Sequence, residues 1–136
     1  MKYIVLLGRI LFSAIFILAA FGHFTADAAK FAANQGMPMA SFLVPLSGVI
    51  VFLGGLSILL GYKARVGAWL LVIFLIPCTL IMHRFWGLAD PMAANLQHVM
   101  FMKNLSLLGA ALLITYFGSG PLSLSHTYSS GKKSKK

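Results

Sequence analysis

Four apolar runs, each about 20 residues long, decide what this chain of 136 residues can become. They are Tyr3 to Phe24, Ser41 to Tyr62, Val66 to Trp86 and His98 to Gly118. About 20 apolar residues in a helix cross the hydrocarbon core of a bilayer. Lipid offers no partner to a bare amide or carbonyl, so such runs must be helices. Strands are excluded by the length of the runs and by the lack of alternating polarity. Composition agrees: 60% of the residues are hydrophobic and 10% are charged, against roughly a quarter charged in a soluble domain. The expected fold is all-α, a polytopic membrane protein with a four-transmembrane-helix bundle over residues 1–118. A basic tail, expected to be mobile, follows at residues 119–136.

The net charge of +9 would point to nucleic acid in a soluble protein, but here the cations flank apolar runs. They therefore report orientation, and nucleic acid is not an expected partner. Lys2, Lys63, Arg65, Lys132, Lys133, Lys135 and Lys136 fall on one side of the four spans. Lys30 and Arg84 fall on the other, while Arg9 and Lys103 lie within spans. The positive-inside rule then puts both termini in the cytoplasm. Lys2, the first apolar run and the "ADA" at Ala26 to Ala28 imitate a secretory signal with its cleavage site. The run is longer than a signal core and contains Arg9, which favours a retained span.

Helices in lipid approach one another through small side chains. In the second span Ser47, Gly54 and Gly61 recur every seven residues with Gly48 and Gly55 alongside, and the fourth span offers Ser106, Gly109, Ala110 and Ala111. These are the expected packing seams, and Pro45 and Pro77 are expected to kink their helices.

Most of the chain's polar residues gather at one membrane face. His23, Asp27, His83, Trp86, Asp90, His98, Lys103 and Asn104 form the candidate outer cluster, with Arg84 and Gln97 nearby. His23 and Asp27 share a helix face if the first helix reaches that far. Trp86 and Arg84 also suit the headgroup belt of an ordinary membrane helix. Lys103 sits about one turn inside the fourth span, where a charge is costly unless it snorkels or pairs. Pairing with Asp27 or Asp90 would hold the outer loops over a pocket. Arg9 is expected to snorkel or to cap a carbonyl. His23, His83 and His98 come from three helices without a local ligand spacing, so no metal is assigned to them. The single cysteine, Cys78, lies in an apolar run and cannot form an internal disulfide. With two acidic residues in the whole chain, carboxylate-dependent hydrolysis has little to work with.

Read in order, "GRILFSAIFILAAFGHF", "PLSGVIVFLGGLSILLGYKARVGA", "HRFWGLADP" and "FMKNLSLLGAALL" resemble the DoxX family of small bacterial and archaeal membrane proteins. The resemblance implies a four-helix bundle in the inner membrane. It also implies an association with redox assemblies, since some relatives belong to thiosulfate:quinone oxidoreductases. Others act with superoxide dismutase and a sulfurtransferase in oxidative-stress defence. On that basis His83, Trp86, Asp90, Lys103 and Asn104 carry over as the residues matching the family pattern. Two positions depart from it. Val51 stands where many relatives carry a glutamate, and His23 where many carry a lysine. Without that glutamate, a proton relay through a membrane carboxylate has no obvious carrier here.

The leading expectation is a redox-associated inner-membrane subunit, with enzymatic activity by this chain alone left open. A quinone is the candidate cofactor, placed at His83, Trp86, Lys103 and Asn104. The expected partners are the lipid bilayer, the proteins of a membrane redox complex and, as a further option, a second copy of the chain. A non-catalytic scaffold or assembly factor is the alternative, and a small-solute transporter a weaker one. The transporter reading rests on the faint parallel between "GHFTAD" and "HRFWGLAD".

Overall fold

The computed structural model describes residues 1–125. In chain order its helices are α1 (Lys2–Gly22), α2 (Ala26–Asn34), α3 (Ala40–Leu60), α4 (Ala64–Met82) and α5 (Pro91–Phe117). α1, α3, α4 and α5 are long and apolar enough to cross a membrane. The four expected spans are thus present, and the chain is a polytopic membrane bundle.

Packing is sequential: α1 lies on α3, α3 on α4, and α4 on α5. α1 and α5 make no extensive contact, so the order is open rather than a closed ring. The centre is formed by Phe16, Ala20, Val51, Ile58, Ala68, Leu71, Leu75 and Ala111. Around it the outward-facing surface is apolar as well. On α1 the buried stripe is Arg9, Ser13, Phe16 and Ala20, spaced as one helical face. Ile4, Leu7, Leu11 and Leu18 point outward instead. With lipid as solvent, the exposed face takes the leucines and the interface takes the small and polar groups.

The glycines of α3 serve two neighbours. A methyl group at Gly48 would come within 2.8 Å of the His23 Cβ on the α1 side. At Gly54 it would meet the Leu71 side chain of α4, also at 2.8 Å. The expected seam on α5 is narrower than its small residues suggest. Ala111 and Asn104 are buried, but Gly109 has open space where a side chain would go. Both prolines lie within helices that continue past them.

The turns follow local chemistry. Gly61 adopts the left-handed conformation (φ 66°) after α3, and the Tyr62 amide donates back to the Ser57 carbonyl at 3.0 Å. This satisfies carbonyls that the helix end would otherwise leave bare. α2 was not visible as an element in the sequence. It starts at Thr25, whose hydroxyl accepts from the Ala28 amide, and it packs Ala32 against Ala40 and Val44.

Residues 119–125 fold back across the end of the bundle. Arg9 donates to the Ser119 carbonyl at 3.0 Å and also to the Leu122 carbonyl. Ser123 is buried. The rest of the expected tail, residues 126–136 with His126 and the terminal lysines, lies outside the described residues.

Candidate site at the histidine end of the bundle

The loop after α4 brings an aromatic group together. The Phe85 ring lies 4.7 Å from the His98 ring, 5.3 Å from Trp86 and 5.4 Å from Phe101, between centroids. Trp86 and Phe101 are 6.1 Å apart. All four contacts are edge-to-face, the arrangement that ring quadrupoles favour. Beside them His83 Nδ1 is 3.0 Å from Gln97 Oε1. Because Oε1 accepts, the His83 proton sits on Nδ1. Trp86 is half exposed, so this array opens outward rather than closing on itself.

About one turn deeper on α5 lie Lys103 and Asn104. Asn104 is buried, and its amide nitrogen approaches the Cys78 sulfur at 4.0 Å. Lys103 is exposed and reaches the Met100 sulfur at 3.6 Å. The expected ion pair between Lys103 and an acid is not what the structure forms. Asp90 is the N-cap of α5, accepting from the Met92 amide at 3.1 Å and the Ala93 amide at 3.3 Å. A carboxylate there satisfies amides that a helix start leaves unpaired, with Pro91 at the position that needs no donor. Asp27 sits in the first turn of α2, where the positive end of the helix dipole favours it.

His23 occupies a separate position. α1 ends at Gly22, so His23 and Asp27 do not share a continuous helix. The His23 Nδ1 is 2.7 Å from Ser47 Oγ, and Ser47 itself donates to the Val44 carbonyl at 2.6 Å. With the one hydroxyl proton used, Nδ1–H must be the donor to Ser47 and Nε2 the accepting nitrogen of the neutral ring. Burial lowers the His23 pKa from its ordinary value, opposed in part by the Val44 carbonyl. The ring lies 5.7 Å from Phe74.

The structure therefore divides the eight sequence candidates. His83, Trp86 and His98 come together in one patch, with Lys103 and Asn104 below it. His23 is held against α3, and the two aspartates serve helix starts. Among the described residues, no three metal-ligating side chains converge. Phe85, Phe101 and Gln97 complete the patch. Phe85 and Phe101 carry no signal in the sequence, because phenylalanines in so apolar a chain read as lipid-facing. Arg84 joins the two outer loops by donating to the Gln35 carbonyl at 3.0 Å.

The family model described as DoxX matches residues 4–84, from α1 through the end of α4. The chain belongs to the DoxX family. Inner membrane protein YqjF of Escherichia coli K12 is 32% identical over 120 residues, covering 88% of each chain. Inner membrane protein YphA of the same strain is 28% identical over 124 residues, covering 89% of this chain and 87% of its own. No solved structure matches. With four spans and these DoxX relatives, the chain is a multi-pass protein of the inner membrane. The DoxX match covers His23, Asp27 and His83, while Trp86, Asp90, His98, Lys103 and Asn104 lie beyond it. An alignment covering 88% of this DoxX chain nevertheless takes in all of α5.

Proposed function

We propose that this chain is the membrane subunit of a redox assembly, linked to a quinone or to sulfur and oxidative-stress chemistry. The observation that carries this reading is the outward-opening array of Phe85, Trp86, His98 and Phe101 beside the His83–Gln97 pair. A quinone ring is flat, apolar on its faces and hydrogen-bond accepting at two edges. Trp86 supplies a face for stacking, while the His98 ring and the Lys103 ammonium supply donors to the carbonyls. A lone cysteine cannot cycle as a dithiol, so electrons reach this site from a partner protein. Under the positive-inside rule, the array faces away from the cytoplasm.

The chain has two tryptophans, both half exposed: Trp69 in the second turn of α4 and Trp86 just beyond its other end. Trp69→Phe leaves Trp86 as the reporter, and Trp86→Phe leaves Trp69. Titrating a short-chain quinone into each variant in nanodiscs should quench Trp86 saturably and Trp69 only by partition. His98→Ala should weaken the saturable phase. Equal, unsaturable quenching of both tryptophans would remove the quinone reading.

One observation favours a non-catalytic scaffold as the second reading. α5 is the least enclosed span, with 11% of its most apolar window buried, against 33% in α3 and in α4. A partner helix, or a second copy of the chain, would cover that face. Cysteine cross-linking from Leu105 or Leu112 in native membranes would capture such a partner. Monomeric behaviour with no cross-linked product would count against it.

A further inference from the structure

The end of the bundle away from the histidines carries a second site, built by the segment that follows α5. Arg9 draws this segment across the helices, and the Ser125 amide donates to the Gly61 carbonyl at 3.3 Å. The Lys63 amide donates in turn to the Ser125 hydroxyl at 3.4 Å. Between the returning segment and the start of α4 remains an open cleft of about 470 Å³. Lys63, Arg65, Ser119 and Ser125 line its polar side, Val66 and Phe117 its apolar side.

Two features define what fits. The first is uncompensated charge. The chain's two acids are Asp27 and Asp90, and both lie at the opposite end, in the first turn of α2 and at the cap of α5. Among the described residues Lys63 and Arg65 therefore have no side-chain carboxylate near them, and the start of α4 adds the positive end of its dipole. Arg65 uses one guanidinium nitrogen on the Tyr116 carbonyl at 3.0 Å. That bond fixes the fork against the end of α5 while other donors remain for an anion. The second feature is the apolar wall. Val66 and Phe117 are 57% and 71% exposed, and each belongs to a membrane-spanning helix. A ligand seated here thus meets cations at one end and lipid-facing hydrocarbon at the other.

We propose that this cleft binds an anionic membrane phospholipid, its phosphate on Lys63 and Arg65 and its acyl chains along Val66 and Phe117. Basic pockets between membrane helices suit such headgroups. The bound lipid would fill the angle between α4 and the segment held by Arg9, joining parts of the chain distant in sequence. This reading is independent of any quinone at the other end.

The test is native mass spectrometry of the full chain, released from mixed phosphatidylglycerol and phosphatidylcholine vesicles. The expected result is one retained phosphatidylglycerol per chain in preference to phosphatidylcholine. Its affinity should fall about tenfold or more in Lys63→Gln/Arg65→Gln. Arg65→Lys should restore part of the retention, and Arg84→Gln, at the opposite end, should keep all of it. If the double variant fails to fold, Lys63→Gln alone suffices, since the Lys63 ammonium rests over the exposed Tyr62 ring. Equal retention of both lipids by the native chain, or unchanged retention in the charge variants, would overturn the proposal. Displacement of the lipid by glycerol phosphate in solution would also overturn it, assigning the cleft to a soluble phosphate compound.

Discussion

Arg9 and Ser119 stand 110 positions apart in sequence, yet the guanidinium of the first donates to the carbonyl of the second at 3.0 Å. This bond links the first span to the segment after the last one, although α1 and α5 themselves barely meet. Arg9 is 6% exposed as a residue, and the carbonyls it reaches offset the desolvation of its guanidinium in part. A substituted chain would leave those carbonyls without their donor.

Arg9→Met should therefore loosen residues 119–125 before it loosens the bundle. Hydrogen bonds to a charged group are worth about 1.5–3 kcal/mol, so a drop of that order in stability is expected. Hydrogen exchange should show early loss of protection at the Ser125 amide, which is held to Gly61. Unchanged exchange there would mean that Arg9 does not secure the segment.

Gly48 and Gly109 make opposite predictions from the same substitution. At Gly48 a methyl group would meet the His23 Cβ at 2.8 Å and the Phe24 ring at 3.0 Å, so α1 must move. Gly48→Ala should cost about 1–3 kcal/mol, as overpacking does, and should break the His23–Ser47 bond. Gly109 has open space around it. Gly109→Ala should be neutral or stabilise α5 by up to about 1 kcal/mol, from helix propensity. Thermal unfolding of both variants in the same detergent compares them directly.

His23 gives the bundle a pH dependence. Its pKa in the folded chain lies below the ordinary value of about 6.5. Between the folded and unfolded pKa values the unfolded chain binds the extra proton, so stability rises with pH through that window. The stabilisation is full above about pH 6.5 and is lost as pH falls through the folded pKa. The thermal midpoint should fall on acidification, and His23→Asn should flatten that slope. A slope unchanged by the substitution would place the titrating group elsewhere.

The spans were readable because bilayer thickness dictates the length of an apolar run, and lipid allows little else. The α3 glycines were readable as seams for the same reason. What escaped depends on contacts between distant segments or on short-range caps. α2 is short and alanine-rich, and exists through the Thr25 cap and the packing of Ala32 on Val44. The partners of Arg9 lie in what composition marked as a tail. At the candidate site, the histidines and Trp86 stood out as rare polar or amphipathic groups. Phe85 and Phe101 did not, because an aromatic residue in an apolar chain carries no signal until its ring meets another.

Asp90 separates a capping role from a charge role. In the sequence, "DP" before the fourth span places Asp90 in a polar cluster, with its carboxylate as a partner for Lys103. In the structure both carboxylate oxygens accept amides of the first turn of α5. A cap of this kind is worth about 1 kcal/mol, and asparagine replaces aspartate there with little loss. Asp90→Ala should fray the start of α5, free Gln97 from His83 and shift the His83 ring signals in NMR. Asp90→Asn removes the charge but keeps an accepting oxygen, so it should leave those signals in place. If both substitutions disturb His83 equally, charge and not capping is what Asp90 contributes. The pairing with Lys103 would then have to form in a state of the protein other than this one.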